Sequence, residues 1–443
     1  MKVLKFGGTS VGTAERIKHV GELAATSACN IVVLSAMSGT TNTLVEIGEY
    51  LYKGNIPGAQ ETINALETKY AAVISELLDT PDGRNRASVA IGRSMAILRS
   101  FCRGEFGGED AEKEILAQGE LMSTALMEAH LLERGLRPVM LPALDFMRTL
   151  ENGEPDMEYI TDRIRRLIEL EPNAALYITQ GYICRNSQGK IDNLKRGGSD
   201  YTASLIGAAV DAEEIQIWTD IDGMHNNDPR YVEGTRPVGT LHFEEAAELA
   251  YFGAKILHPT CVLPAKLANI PVRLLNTMAP EAPGTIICNT APDGRIKAVA
   301  AKDNITAIKI KSGRMLLAYG FLHKIFDIFE KYRTSIDMMA TSEVAVSVTV
   351  DDDSRLSAIV DELKDFGTVT VDRDMVILCI VGDLEWHNRG AETSVLEALR
   401  DIPVRMISYG GSNYNISVLV QASDKLRALR LLSERLFAGH END

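Results

Sequence analysis

The sequence predicts an α/β protein: a mostly parallel sheet with helices on both faces over residues 1–295, then two small interlocked βαββαβ modules. Three observations predict it. Short apolar runs of strand length alternate with helical periodicity along residues 1–295. Polar, glycine-rich segments follow directly on those runs, where open parallel sheets place their ligands. Beyond residue 295 the βαββαβ rhythm occurs once and nearly recurs.

Residues 3–6 form the first apolar strand, and Ile17, Val20, Leu23 and Ala24 then recur at helical spacing. The run "NIVVLSAMSG" reads as a buried strand at 31–34 that ends in small polar residues. Residues 43–135 carry a helical pattern broken near 54–57 and 81–83, where glycine and proline interrupt it. "RPVMLPA", "ALYITQGYI" and "IQIWTDIDG" repeat the strand theme. Apolar runs without alternation suit strands buried on both faces. Pro280, Pro283, Pro292 and Gly294 mark loops before the change of rhythm. The first module reads as strand 305–311, helix 320–332, strands 335–341 and 344–350, helix 355–365 and strand 368–372. Its first helix sets Leu322, Ile325, Phe326 and Phe329 on one face. The second copy follows as strand 375–382, helix 391–401, strands 404–410 and 415–421, and helix 425–437, and it lacks a closing strand. The spare strand at 296–302 is expected to complete it, which would interlock the two modules. The expected division is 1–295, then 304–375, then 296–303 with 376–443.

Bulk properties narrow the chemistry. A net charge of −15 over 443 residues argues against nucleic acid as a partner. No run approaches the ~18 apolar residues of a membrane helix, and the first residues lack a signal-peptide layout, so a cytoplasmic location and no membrane partner are expected. The six cysteines are scattered without a CxxC pair, which suits a reducing compartment. The eight histidines show no metal-ligand spacing, so no protein-built metal site is expected. An anionic ligand would have to be held by local cations and backbone N–H groups.

Four segments after strands carry that potential: "KFGGTS" at 5–10, "SAMSGTTN" at 35–42, "LKRGGSDYTA" at 194–203 and "TDIDGMHNNDPR" at 219–230. A glycine pair lets backbone N–H groups approach an anion. Both "GGTS" and "RGGSD" lead into helical patterns, whose N-termini favour anions, and each has a cation beside it, Lys5 or Arg196.

Taken together, "KFGGTSV", "GELMS", "RGGSDYTA", "TD…DPR" and "FGAKILHP" resemble the aspartate kinase family over essentially the whole chain. "GFLHKIF", "ATSEVAVSVTVD" and "VRMISYGGS" look most like its monofunctional, lysine-sensitive class. The resemblance implies the amino-acid-kinase fold, a three-layer sandwich, plus two interlocked C-terminal ACT-type domains. It implies transfer of the γ-phosphoryl of ATP to the β-carboxylate of L-aspartate, with Mg²⁺ carried on the phosphates. The attacking group is already an anion, so the work is positioning and charge neutralisation.

By resemblance, Lys5 stabilises the transferring phosphoryl group, and Gly7, Gly8, Thr9 and Ser10 donate to phosphate oxygens. Thr41 contacts substrate, Glu120 takes its α-ammonium, Arg196 its α-carboxylate, and Ser199 and Asp200 line the same pocket. Thr219, Asp220, His225, Arg230 and Lys255 match ATP-contacting positions, His225 standing where the family often has tyrosine. An effector, L-lysine by resemblance, would sit at Met315, Tyr319, Gly320, Phe321 and Leu322, completed by Ile336, Asp337, Ser342 and Glu343. ACT-type modules imply a homodimer or a dimer of dimers. The alternatives are a kinase of the same fold acting on glutamate, N-acetylglutamate or UMP, and a catalytically silent amino-acid sensor.

Overall fold

A computed structural model describes residues 1–26, 30–104, 106–194, 197–253, 257–289, 294–313 and 319–437. The chain forms two compact units, residues 1–223 with 257–289, and residues 224–256 with 290–443. Residues 224–256, grouped with the catalytic segment in the sequence reading, thus cluster with the C-terminal unit. No helix among the described residues is long and apolar enough to cross a membrane.

The strands of the first unit are β1 (Lys2–Phe6), β2 (Asn30–Leu34), β3 (Val139–Met140), β4 (Leu176–Gln180), β5 (Ile183–Arg185), β6 (Ile191–Asn193) and β7 (Glu214–Thr219). After β8 (Thr240–His242) of the second unit come β9 (Val272–Asn276) and β10 (Thr285–Cys288). Seven of them pair in the order β3-β4-β2-β1-β7-β9-β10. All neighbours run parallel except β9 and β10. The helices are α1 (Ala14–Ala24), α2 (Thr40–Tyr52), α3 (Ile56–Leu77), α4 (Pro81–Ser100), α5 (Glu109–Glu133), α6 (Ala143–Phe146), α7 (Met157–Leu170) and α8 (Gly198–Ala209). The expected breaks at Pro57 and Pro81 are helix starts, since proline in the first turn removes an N–H that had no partner.

Alternation across the strands builds two apolar layers. Leu4, Phe6, Val32 and Leu34 pack with residues of α1 to α5. Their neighbours Val3, Ile31 and Val33 are buried too, and α8 packs against β1, β2 and β7. Every residue of β2 is buried, as a central parallel strand requires. β1 has β2 on one side and β7 on the other, so the chain reverses its direction of winding there. Loops diverge at such a point and leave a crevice beyond the strand ends. Sequence reading overestimated β3, because only two residues of "RPVMLPA" join the sheet.

The first helix of the second unit is α9 (Phe243–Tyr251), α10 (Leu263–Leu267) belonging to the first unit. It continues with β11 (Ile296–Lys311), α11 (Phe321–Lys331), β12 (Met339–Thr341), β13 (Ala345–Val350), α12 (Leu356–Leu363), β14 (Thr368–Gly382), α13 (Ala391–Ala398), β15 (Met406–Ser408), β16 (Asn415–Gln421) and α14 (Lys425–Phe437). Its six-stranded antiparallel sheet runs β12-β13-β11-β14-β16-β15. The spare strand and the first strand of the first module are one strand, β11, and the last strand of one module runs into the first of the other as β14.

β11 and β14 pair along both halves, with irregular register near Lys302–Ala307. Asn304 and Asp374 take left-handed backbone angles (φ 60° and 54°) at these junctions. Each half serves its own core: Ile308 and Ile310 pack with α11 and α12, whereas Val299, Leu378 and Ile380 pack with α13 and α14. Each core thus takes one half of β11 and one half of β14, so the two modules share both long strands. The buried face of α11 is Phe321, Ile325, Ile328 and Phe329, so Phe321 and Ile328 stand in place of the expected Leu322 and Phe326, which are half-buried.

Candidate active site

A cavity of the first unit, about 460 Å³, lies beyond the tips of β1, β2 and β4. Seven of the expected residues line it: Lys5, Gly8, Thr9, Thr41, Glu120, Ser199 and Asp200. Two helix N-termini converge there. α2 starts after Gly39 and α8 after Gly197, both left-handed (φ 79° and 71°) and neither capped by its own side chain. In α2 the Thr40 N–H is spent on the Met37 carbonyl at 2.9 Å, but both helix ends are positive and suit an anion.

Lys5 is 9% exposed, and its Nζ lies 2.6 Å from Asp200 Oδ1. That oxygen makes no aligned hydrogen bond, so the contact is a close ion pair rather than a directed bond. The side chains of both partners are nearly buried, and removing either would strand a charge.

Glu120 is placed by glycine. A Cβ on Gly119 would stand 2.8 Å from the Ala36 side chain, so only glycine lets α5 pass this close to the β2 loop. The Ala36 N–H then donates to Glu120 Oε1 at 3.1 Å, and the Ser123 hydroxyl donates to the Ser35 carbonyl at 2.8 Å. The motif "GELMS" is thus a clamp on the loop after β2. Burial pushes the Glu120 carboxyl up to about 8, against the Ala36 N–H, which favours the charged form. No ion pair among the described residues reaches Glu120, so a ligand ammonium would meet an unpaired carboxyl.

The "GGTS" loop does less than expected. The Gly7 N–H is spent on the Trp218 carbonyl at 3.1 Å. The Ser10 hydroxyl is buried against Thr277 Oγ1 at 2.7 Å and does not line the cavity. Of the four residues expected to donate to phosphate, Gly8 and Thr9 face the cavity. A Cβ on Gly8 would meet the Ala36 carbonyl at 2.8 Å, so this glycine sets the approach of the β1 and β2 loops.

Sequence reasoning missed Tyr182, which lines the cavity after β4 with a left-handed backbone (φ 67°). Its ring fills the space beside Gly198, whose Cβ would stand 2.5 Å from Tyr182 Cδ2. Burial pushes its hydroxyl up to about 12. The signal was the "QGYI" glycine, since a Cβ on Gly181 would stand 2.5 Å from Ser199 Oγ.

Arg196, Lys255 and Met315 lie outside the described residues. In the first unit, Thr219 and Asp220 end β7, and the Thr219 hydroxyl donates to Asp220 Oδ1 at 3.1 Å. In the second unit, His225 Nδ1 is 3.0 Å from Thr235 Oγ1, and Arg230 folds back on Asp228 at 2.6 Å. Among the described residues no three carboxylate, His or Cys side chains converge as a metal cage.

The described residues expected to hold the effector differ in their exposure. Phe321 belongs to the first module's core, stacked edge-on against Phe366, so only its helix-start N–H is left for a ligand. Tyr319, Ser342 and Glu343 are exposed, and Leu322 and Ile336 are half-buried. Gly320 caps α11 in a left-handed conformation. Asp337 instead lines a cavity with residues of α9 and of the β15–β16 turn.

A parallel sheet, a switch-point crevice and two uncapped helix N-termini around a buried lysine define a phosphoryl-transfer class of protein. Residues 1–276 match the amino acid kinase family, and residues 378–436 match the ACT domain. Lysine-sensitive aspartokinase 3 of Escherichia coli (strain K12) is 32% identical over 98% of this chain and 99% of its own length. Aspartokinase 1, chloroplastic, of Arabidopsis thaliana is 33% identical over 98% of this chain and 80% of its own. The crystal structure of E. coli aspartokinase III in complex with aspartate and ADP (R-state) superposes with a TM-score of 0.81 at 32% identity, covering 99% of this chain and 100% of that one. The chain belongs to the aspartokinase family.

Proposed function

We propose that the protein is an ATP-dependent aspartate kinase that converts L-aspartate to 4-phospho-L-aspartate. The observation that carries this reading is the convergence of Lys5, Thr41, Glu120, Ser199 and Asp200 on one crevice. Glu120, buried with no ion pair among the described residues, takes the α-ammonium of aspartate. Arg196 and Ser199 take its α-carboxylate, and Thr41 orients the substrate. The β-carboxylate then faces Lys5 and the N-termini of α2 and α8. There Lys5 and the Gly8 and Thr9 N–H groups neutralise charge as the phosphoryl group moves. Asp200 holds the Lys5 ammonium in place. No general base is needed, which agrees with a site built of cation, amides and carboxylates.

Thr219, Asp220, His225, Arg230 and Lys255 are assigned to the nucleotide, and Arg230 must exchange Asp228 for phosphate. Mg²⁺ would enter on the phosphates and supply charge neutralisation, with Asp200 the carboxylate of the crevice that would face it. The catalytic domain is taken as 1–295 and the regulatory modules as 304–375 and 296–303 with 376–443. L-Lysine, the effector of the E. coli relative by its name, is assigned as feedback inhibitor at the start of α11, with a homodimer or dimer of dimers assembled through the modules. The deciding experiment is ADP release, or hydroxamate formation, with L-aspartate, glutamate, N-acetylglutamate and UMP as acceptors, with and without lysine. Turnover confined to aspartate supports the reading. Turnover with another acceptor alone, or with none, overturns it.

A further inference from the structure

The loop between β2 and α2 lines the crevice of the first unit through Met37, Ser38, Gly39 and Thr41. Its support comes from α3, none of whose residues lines the crevice. Two neighbouring residues of that helix reach the loop. The Lys69 ammonium donates to the Ser38 carbonyl at 2.8 Å, and the Tyr70 and Thr40 hydroxyls share a hydrogen bond at 3.1 Å. Tyr70 and Thr40 are both 0% exposed, so neither hydroxyl can turn to bulk water instead. Burial also raises the Tyr70 pKa and keeps the group a neutral hydroxyl. On its other side the Ser38 N–H donates to the Gly8 carbonyl at 3.1 Å. The peptide groups of Ser38 thus join α3 to the glycine loop after β1, in a chain of hydrogen bonds from Lys69 to Gly8.

The place of Lys69 breaks a local rule. Its Nζ stands 3.8 Å from where a Cβ on Gly39 would be, at the positive end of α2. The helix dipole opposes an ammonium there. Burial lowers the Lys69 pKa, and among the described residues no carboxylate offsets it. Lys5 lines the same crevice but is already paired with Asp200. Helix stability gives no reason for a cation at this spot, whereas a crevice that must gather anions does. Such departures from local rules collect at functional sites.

We infer, resting on the proposed function in which Thr41 orients the substrate, that Lys69 and Tyr70 are positioning residues for the phosphoryl transfer. They hold residues 38–40 so that Thr41 and the start of α2 meet aspartate, and Lys69 adds positive charge behind them. Neither side chain touches the substrate; each acts through the loop.

The test is steady-state kinetics of Lys69→Met, Lys69→Arg and Tyr70→Phe in the full-length protein, with circular dichroism melts and amide hydrogen exchange of segment 36–44. Lys69→Met removes the charge and the donor. It should raise KM for aspartate about tenfold or more, the worth of a hydrogen bond from a charged group, and move KM for ATP by less than about threefold. Lys69→Arg, which keeps both charge and donor, should restore most of that loss. Tyr70→Phe keeps the ring and should raise KM for aspartate by about three- to tenfold. Exchange at 36–44 should quicken in Lys69→Met and Tyr70→Phe. The Lys69→Met protein should melt at the wild-type temperature or above, since it loses a charge the dipole opposes. Wild-type KM for aspartate in the folded variants, equal rises in both KM values, or no rescue by arginine would overturn the inference. If Tyr70→Phe fails to fold, the two Lys69 variants decide. If the wild type turns over no aspartate, the catalytic reading fails, and exchange at 36–44 alone decides the hold on the loop: quickened exchange in the variants supports it and unchanged exchange overturns it.

Discussion

Glu120 gives the sharpest test of the substrate assignment, and the perturbation is pH. Burial raises its carboxyl from 4.5 to about 8, so the free enzyme carries a neutral acid over most of the physiological range. If aspartate's α-ammonium binds the carboxylate, the competent fraction is about one molecule in ten at pH 7 and about one in a hundred at pH 6. Then kcat/KM for aspartate should climb nearly tenfold from pH 6 to 7 and level off above 8, with the change carried by KM. Glu120→Gln removes the titrating charge. It should flatten that slope and, at pH 8, lower kcat/KM by about 10- to 100-fold, the worth of a charged hydrogen bond.

The same shift has a stability sign. In the unfolded chain Glu120 ionises near 4.5, while the folded protein keeps its proton until about 8. The stabilisation is therefore fully present below 4.5 and lost as pH rises through 8. Thermal melts of Glu120→Gln should lack that part of the decline. A variant that keeps the pH slope of kcat/KM, or loses less than twofold at every pH, refutes the assignment.

Lys5→Ala should cut turnover by about 10³-fold or more while the chain still folds. It leaves Asp200 unpaired and so should cost roughly 3–5 kcal/mol in denaturant unfolding; a near-normal rate removes Lys5 from the mechanism. Gly8→Ala drives a methyl against the Ala36 carbonyl, 2.8 Å away, and should cost kcat/KM at least about tenfold. The control Gly92→Ala, with nothing within 4 Å on an exposed helix face, should be neutral in activity and stabilising by up to about 1 kcal/mol. Similar kinetics for the two variants would discard the loop argument. L-Lysine should inhibit aspartate turnover more than L-threonine does, and insensitivity to both would count against the effector assignment.

The chain order of strands and helices was readable because it rests on local rules. Apolar runs without alternation gave β1, β2, β4 and β7, and the helical pattern of 43–135 with its breaks at 54–57 and 81–83 gave the division into α2, α3 and the helices after them. The loops after those strands were readable as sites for the same reason: glycine pairs before helices are a local signal. "KFGGTS" nevertheless misled in part, because hydrogen bonding is shared out only after folding. Gly7 and Ser10 are taken by Trp218 and Thr277, residues more than two hundred positions away.

Alternating patterns also showed two modules and a spare strand. They did not show that 296–311 and 368–382 are each one continuous strand, since a local bulge and a left-handed residue look like a break in sequence. Glu120 is the clearest contrast. One glutamate on a helix is silent about its own charge. Only burial beside Ala36, with no ion pair among the described residues, raises its pKa and singles it out. Likewise, the hold of Lys69 and Tyr70 on Ser38 and Thr40 is a fact of packing between segments distant in the chain. The sequence determined which elements form and which loops can meet an anion, because propensity and periodicity act over a few residues. The tertiary structure decided which donors remain free and which carboxylates lack a partner, because those depend on every group that reaches the same place.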